Sequence, residues 1–261
     1  MPEQFSTDKS PVRLSIGVIS FAADGELTRT LKSLGEVPPD VEVCVQLHRN
    51  EASKLDPWLT KIPTLRVLPA GDNGIFNAMN RIRSHAHGDY LWFLNAGDTR
   101  HEKLELCDLL NTLADTDDAN KCFGFQSLQT FGEDGYRRPG AANDDPKPIE
   151  IGHQSAVYSR AAYKEISFLE ARKVSADQQY NQDCFSQFGF HYVPRILSIF
   201  ALGGVSNRFQ LKDWHHFAQE PAGIRLRFLC KVVLRTMLGQ QLLYRLLYAV
   251  KYDRIRINLT P

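Results

Sequence analysis

Cysteine is scarce and without pattern: Cys44, Cys107, Cys122, Cys184 and Cys230 are an odd five in 261 residues, scattered along the chain. No two sit at zinc-finger spacing, so neither a disulfide framework nor a cysteine-rich metal module organises the fold. Buried free thiols in a reducing compartment are expected instead. Long apolar runs are missing as well. No uninterrupted stretch reaches bilayer-spanning length, and residues 1–11 are polar, with two prolines, which reads as a disordered N-terminus rather than a leader. A cytoplasmic location is the expectation. Also absent is a glycine-rich, lysine-bearing phosphate loop after the first apolar run, which argues against a nucleotidyltransferase built on such a loop. There is no internal repeat. The net charge is only +1, and no nucleic-acid partner is expected.

That small net charge hides an asymmetry. Residues 221–261 carry eight Lys/Arg and one acidic residue, a net of +7, which leaves 23 basic and 29 acidic residues before position 221, a net of −6. A mildly acidic body is followed by a strongly basic tail, so one partner for the whole surface is not expected. The length suffices to bury one large domain with room for an appendage.

What is present is an alternation of strand and helix patterns. Leu14–Ser20 reads as the first strand, Gly25–Leu34 as a helix, Val41–Leu47 as the second strand and Thr64–Leu68 as the third. Ile75, Ala78, Met79 and Ile82 fall at helical spacing, with Asn73 available as an N-cap, and Tyr90–Leu94 is a continuous apolar run suited to a strand buried on both faces. Such alternation argues for a mainly parallel sheet. After a helix around Lys103–Leu113 the pattern changes to Cys122–Phe125 and Leu128–Phe131, a turn at Gly132–Gly135, and a loop rich in Pro, Asn and Asp over Arg137–Pro148, which reads as mixed sheet.

The most informative stretch is Gly71-Asp-Asn-Gly-Ile-Phe-Asn-Ala-Met-Asn80, followed by Phe93-Leu-Asn-Ala-Gly-Asp98. Its polar residues stand where the apolar runs stop, which is the sheet edge at which open α/β sheets bind ligands. A carboxylate there, Asp98, can hold a hard divalent cation that bridges to substrate phosphates. These residues resemble the inverting family 2 glycosyltransferases of the GT-A fold, with the closest likeness to the colanic-acid and exopolysaccharide branch. Gly152-His-Gln-Ser155, Val174-Ser-Ala-Asp177 and Ile199-Phe-Ala-Leu-Gly-Gly-Val-Ser206 extend the likeness, in order, over residues 12–207.

The resemblance implies a Rossmann-like α/β fold: a mainly parallel mixed sheet flanked by helices over residues 12–207, with a C-terminal helical appendage over 208–261. It implies transfer of a hexose from a nucleoside-diphosphate sugar to a glycan or lipid-linked saccharide in surface polysaccharide biosynthesis. Asp177 matches the catalytic base, at the start of a helix Gln178–Phe188 whose dipole favours the ionised form. Asp72, Asn80, Asn95, Asp98, Gly203, Gly204 and Ser206 fall on the donor side, Asp98 also as ligand to Mn²⁺ or Mg²⁺. His153 and Gln154 would face the diphosphate or the acceptor. Plainer readings stand beside these. Asp98 and Asp177 can each cap a helix, Asp72, Asn73 and Asn80 can shape a turn, a lone histidine near a strand is often structural, two glycines make an ordinary turn, and Asp183 reads as a solvated surface charge.

Two departures from the family pattern are specific. Gly97 stands where many members have a second carboxylate, and Gln46-Leu-His-Arg-Asn50 replaces a segment that begins with a base- or ribose-binding aspartate. They motivate an alternative: a catalytically weak binding or scaffold protein of the same fold. In the tail, apolar residues are dense over Ile224–Val250, Gly239 divides two helices, and Arg227, Lys231 and Arg235 form one helical stripe. A basic, apolar, non-spanning helix pair reads as peripheral on an anionic inner-leaflet surface, or as a packed helix with a solvated basic face.

Overall fold

The computed structural model describes residues 12–131, 134–137, 151–202, 209–249 and 253–256. Strands β1 (Leu14–Ser20), β2 (Val41–Leu47), β3 (Leu65–Leu68) and β4 (Tyr90–Asn95) alternate with helices α1 (Gly25–Ser33), α2 (Asp56–Lys61) and α3 (Ile75–His85). They pair in parallel in the order β3-β2-β1-β4. The chain therefore turns outward on both sides of β1, and the carboxyl ends of β1 and β4 open a crevice between them. Every residue of β1 and β2 is buried, as expected of central strands covered on both faces.

The second half adds a short strand β5 (Thr99–Arg100), helix α4 (Leu106–Ala114), strands β6 (Cys122–Phe131), β7 (Asp134–Arg137) and β8 (Ala156–Ser159), helices α5 (Arg160–Glu165) and α6 (Ala176–Phe188), and the long strand β9 (Phe190–Ala201). Here β4 pairs antiparallel with β8, β8 with β6 and β6 with β7, so the sheet is mixed, with ten strands among the described residues. The two apolar patches Cys122–Phe125 and Leu128–Phe131 form one strand, not two, because β6 runs parallel to β9 along nearly its whole length. The ladder shifts register beside Val193, where Pro194 has no N–H to give, and resumes at Ile196.

Two apolar layers cover the sheet. Leu27 and Leu31 of α1 and Leu106, Leu109, Leu110 and Leu113 of α4 pack on one face, over Ile16, Val43, Trp92 and Leu94. On the other, Phe76, Ala78, Met79 and Ile82 of α3 join Ala162, Tyr163 and Tyr180 over Cys44, Leu91, Phe93 and Tyr158. Each such large side chain removed from water stabilises the fold by about 1.5–3 kcal/mol. Helix α3 lies so close to β1 that a Cβ at Gly17 would stand 2.6 Å from the Ile82 methyl, which explains glycine inside a buried strand.

The tail folds into helices α7 (Ala222–Leu238) and α8 (Gln240–Ala249), broken at Gly239, whose φ of +76° suits glycine, followed by strand β10 (Asp253–Arg256) against β7. It has a small core of its own, Phe209, Phe217, Phe228, Leu243 and Tyr244, which packs on Phe131 and Phe200 at the ends of β6 and β9. Among the described residues no helix is long and apolar enough to cross a membrane.

Candidate active site

At the carboxyl ends of β1 and β4 lies a cleft of about 380 Å³ lined by Ser20, Phe21, Glu26, His48, Asp72 and Asn95, among others. Three loops build its wall. The backbone of His48 and Arg49 hydrogen-bonds to Ser20 and Phe21, and Gly71 N–H donates to the His48 carbonyl at 3.2 Å, so the turns after β1, β2 and β3 are tied to one another. On this frame the Phe21 ring stacks on His48 with centroids 4.8 Å apart, and the Arg49 guanidinium lies 4.7 Å from the Phe21 centroid. Asp72 is buried, pairs with His48 Nδ1 at 3.3 Å and accepts the Gly74 N–H at 3.0 Å.

That last bond corrects one expectation. Asn73 does not cap α3: Gly74 holds the cap position at φ +110°, without a side-chain cap, and the Asn73 N–H donates to Asn77 Oδ1. Asn80 faces elsewhere too. Its amide nitrogen donates to the Phe168 carbonyl and Glu170 Oε1, and its oxygen accepts the Phe168 N–H, so it clamps the 168–170 loop onto α3.

Asp98 follows β4, but no helix follows it; β5 does, and α4 starts only at Leu106, so the helix-cap reading of Asp98 is overturned. The turn is held from α1. Thr30 Oγ1 accepts the Gly97 N–H and donates to the Asp98 carbonyl, while Arg29 donates to the Gly97 carbonyl at 3.1 Å. Gly97 has φ +99°, so the backbone favours glycine over a carboxylate-bearing residue, and a Cβ there would meet the end of the Arg29 side chain at 3.3 Å. The Asp98 carboxylate is buried, with Oδ2 accepting from Gln154 Nε2 at 3.2 Å and Asn95 N at 3.4 Å. Burial pushes its pKa up to about 6, against the hydrogen bonds from the Gln154 amide and the Asn95 N–H.

The His153 imidazole joins two of these groups. Its Nδ1 lies 3.3 Å from Asp177 Oδ2 and its Nε2 lies 3.0 Å from Asn95 Nδ2. A carboxylate accepts only, so the proton belongs on Nδ1 and Nε2 accepts from the Asn95 amide. Asn95 Oδ1 is then buried without a partner among the described residues. Gln154, next in the same short 3₁₀ turn, is fixed by the Trp92 indole N–H, which donates to its carbonyl at 2.7 Å. Cleft, Asn95, His153 and Asp177 thus form one connected line across β4, the 153–155 turn and α6.

Asp177 lies inside the first turn of α6, where its Oδ1 accepts the Gln178 N–H at 2.9 Å and so serves that helix end; Ser175 holds the cap position, yet its hydroxyl makes no bond to the helix. The residues that lead into the helix are held from the tail. Buried Glu220 accepts the Val174 N–H at 2.9 Å, the Ser175 N–H at 3.3 Å and the Ser175 hydroxyl. Nothing in the sequence signals this pairing over 45 residues, since Glu220 precedes the tail helices in an otherwise ordinary polar stretch. Asp183 is half-buried and accepts from Gln179 at 2.8 Å rather than standing free in solvent. Gln46 is buried with its amide nitrogen on the Leu47 and Pro69 carbonyls. Gly203, Gly204 and Ser206 lie outside the described residues. Among the described residues no group of three or more His, Cys, Asp or Glu side chains is placed to hold a metal ion.

No family profile matches the chain. Among characterised proteins, it is 27% identical over 169 residues to the PGL/p-HBAD biosynthesis glycosyltransferases of Mycobacterium bovis and Mycobacterium tuberculosis, covering 62% of this chain and 64% of theirs. It therefore spans less than two thirds of those relatives. Among solved structures, Staphylococcus aureus TarS 1–349 in complex with UDP superposes with a TM-score of 0.59 at 16% identity, covering 86% of this chain and 72% of that one. The mannosyltransferase PcManGT from Pyrobaculum calidifontis, in complex with GDP-Man and Mn²⁺, gives a TM-score of 0.55 at 14% identity over 90% of this chain and 74% of that one. The sequence relatives are glycosyltransferases and one structural neighbour is a mannosyltransferase, and the α/β architecture of this chain, a mixed sheet flanked by helices, is shared with the solved neighbours.

Proposed function

We propose that the chain is an inverting glycosyltransferase that moves a hexose from a nucleoside-diphosphate sugar to a saccharide or lipid-linked acceptor. The observation that carries this reading is the line from the cleft through Asn95 and His153 to Asp177. The acceptor hydroxyl oxygen attacks the anomeric carbon on the face opposite the diphosphate. Its proton passes to the Asp177 carboxylate, the glycosidic bond to the diphosphate breaks, and the nucleoside diphosphate leaves. The imidazole N–H of His153 orients the carboxylate in the way a triad aspartate orients its histidine, with the roles reversed. The Phe21–His48 stack supports a planar base at the other end of the cleft, and Asp72 anchors it through His48.

A divalent cation suits the same site. Asp98 is a buried carboxylate and Asn95 Oδ1 a buried oxygen with no partner, and both are hard-oxygen donors of the kind that hold Mg²⁺ or Mn²⁺ when phosphates and water complete the shell. When bound, such an ion would neutralise charge on the leaving diphosphate. Asp177→Asn is expected to abolish transfer while the variant still binds UDP or GDP with Mn²⁺ in calorimetry. Transfer near the wild-type rate would sink the assignment of the base; loss of all nucleotide binding by the wild type would instead favour a scaffold protein of this fold.

A further inference from the structure

Helix α7 is turned with its oily side out. At 100° per residue, Leu226, Leu229, Cys230, Val233, Leu234 and Met237 share one side of the helix and all are exposed, Met237 at 75% and Leu226 at 64%. Leu242 and Leu246 of α8 are exposed as well, so the apolar surface runs over both helices. The basic stripe turns the other way along its length. Arg227 is exposed, but the Lys231 ammonium sits 4.9 Å from the Phe209 ring centroid, and Arg235 donates to Gln240 at 3.1 Å. The inner side holds Phe228, packed on Phe217 at 3.9 Å between centroids. A solvated surface helix would present the reverse arrangement.

We propose that this face is an insertion surface for an anionic phospholipid bilayer, on which α7 and α8 lie flat. Two observations choose this occupant. Residues 222–249 hold five basic residues and no acidic one, and of these Arg227 and Arg245 are exposed beside the apolar side, so the charge that borders it is of a single sign. Pairing two copies through this face would set those like charges against each other, whereas anionic headgroups complement them. In addition, α7 has 17 residues, about 25 Å of helix, and neither it nor α8 has the apolar length to cross a membrane, which leaves the interfacial arrangement. The inference is independent of sugar transfer, because it uses no residue of the cleft.

The test is co-sedimentation of the full chain with vesicles of phosphatidylcholine alone and of phosphatidylcholine containing phosphatidylglycerol. Binding is expected to the anionic vesicles and to weaken with added salt. The double variant Val233→Ser, Met237→Ser, at exposed positions, is expected to bind at least about tenfold more weakly with its thermal unfolding unchanged. A second readout locates the contact. Cys230 lies on the apolar side and Cys107 on α4. Anionic vesicles should therefore slow labelling of Cys230 by a water-soluble thiol reagent and leave Cys107 unaffected. Failure to bind either vesicle, undiminished binding by the double variant, equal protection of both cysteines, or a dimer in solution that the double variant abolishes would each overturn the proposal.

Discussion

At the scale of single residues, the site depends on side chains whose partners come from distant parts of the chain. Glu220 is the clearest case: it reaches 45 residues back to hold Ser175, and through it the start of the helix that carries Asp177. Replacing it by alanine leaves two backbone N–H groups and a hydroxyl without their acceptor inside the protein. Each such loss costs about 1–3 kcal/mol, more when the lost acceptor was charged. Glu220→Ala is therefore expected to lower the unfolding midpoint and to reduce kcat while the KM for the nucleotide sugar stays near wild type, because Glu220 touches nothing in the cleft. Steady-state kinetics beside a thermal melt would check this; a raised KM with kcat intact would contradict it. The same scale explains Gly97. The motif invites a search for a second carboxylate, but the φ of +99° at this turn is one that a non-glycine residue rarely adopts.

Among elements, the parallel strands are tied at their amino ends by one carboxylate. Glu42 on β2 accepts from Ser15 Oγ on β1 at 2.6 Å, from Arg66 on β3 at 3.0 Å and from the His87 N–H before β4 at 2.6 Å. Burial would raise its pKa, but the hydrogen bonds from Ser15, His87 and Arg66 outweigh that and hold it below the ordinary value. A carboxylate with a depressed folded-state pKa contributes stability that is present above the unfolded pKa and is lost as pH falls through the folded one. Glu42→Gln should thus destabilise the protein at neutral pH by about 1–3 kcal/mol, and the gap to wild type should close as pH drops below about 4. Denaturant melts across that range test it; a gap independent of pH would show that shape, not charge, ties the strands. The other elements obey their patterns less simply. β9 was hidden in the sequence because Pro194 interrupts it and its alternation is irregular, and only its long pairing with β6 makes it a strand.

Over the whole molecule, an acidic body and a basic tail are joined by a third, smaller core. The tail is more than an addition, since Glu220 links it to the helix of the proposed base and Phe131 and Phe200 seat it on the strands. Thiol accessibility reports on this arrangement without any assay of activity. Cys44, Cys122 and Cys184 are buried and Cys107 and Cys230 exposed, and burial pushes the Cys44 thiol up to about 12. Two thiols are expected to react in the native protein and the other three, which share one apolar layer with α3 and α6, only with denaturant; a third fast thiol would mean that this layer is open.

Much was settled by sequence alone, because local rules suffice for it. Continuous apolar runs at Leu14–Ser20, Val41–Leu47 and Tyr90–Leu94, with helical spacing between them, dictate a parallel sheet covered on both faces. The polar residues that end those runs must then gather at one edge, which is why Asp72, Asn95 and Asp98 were legible as candidates. Gly239 as a break between two helices was legible for the same local reason. Tertiary structure decided what depends on partners far away in sequence: that Asn80 is taken up by Phe168 and Glu170, that His153 joins Asn95 to Asp177, and that Glu220 holds the residues that lead into α6. It also decided which way the tail helix faces. Its composition fixes an apolar side and a basic stripe, but only packing of Phe228 against Phe217 determines that the apolar side looks outward.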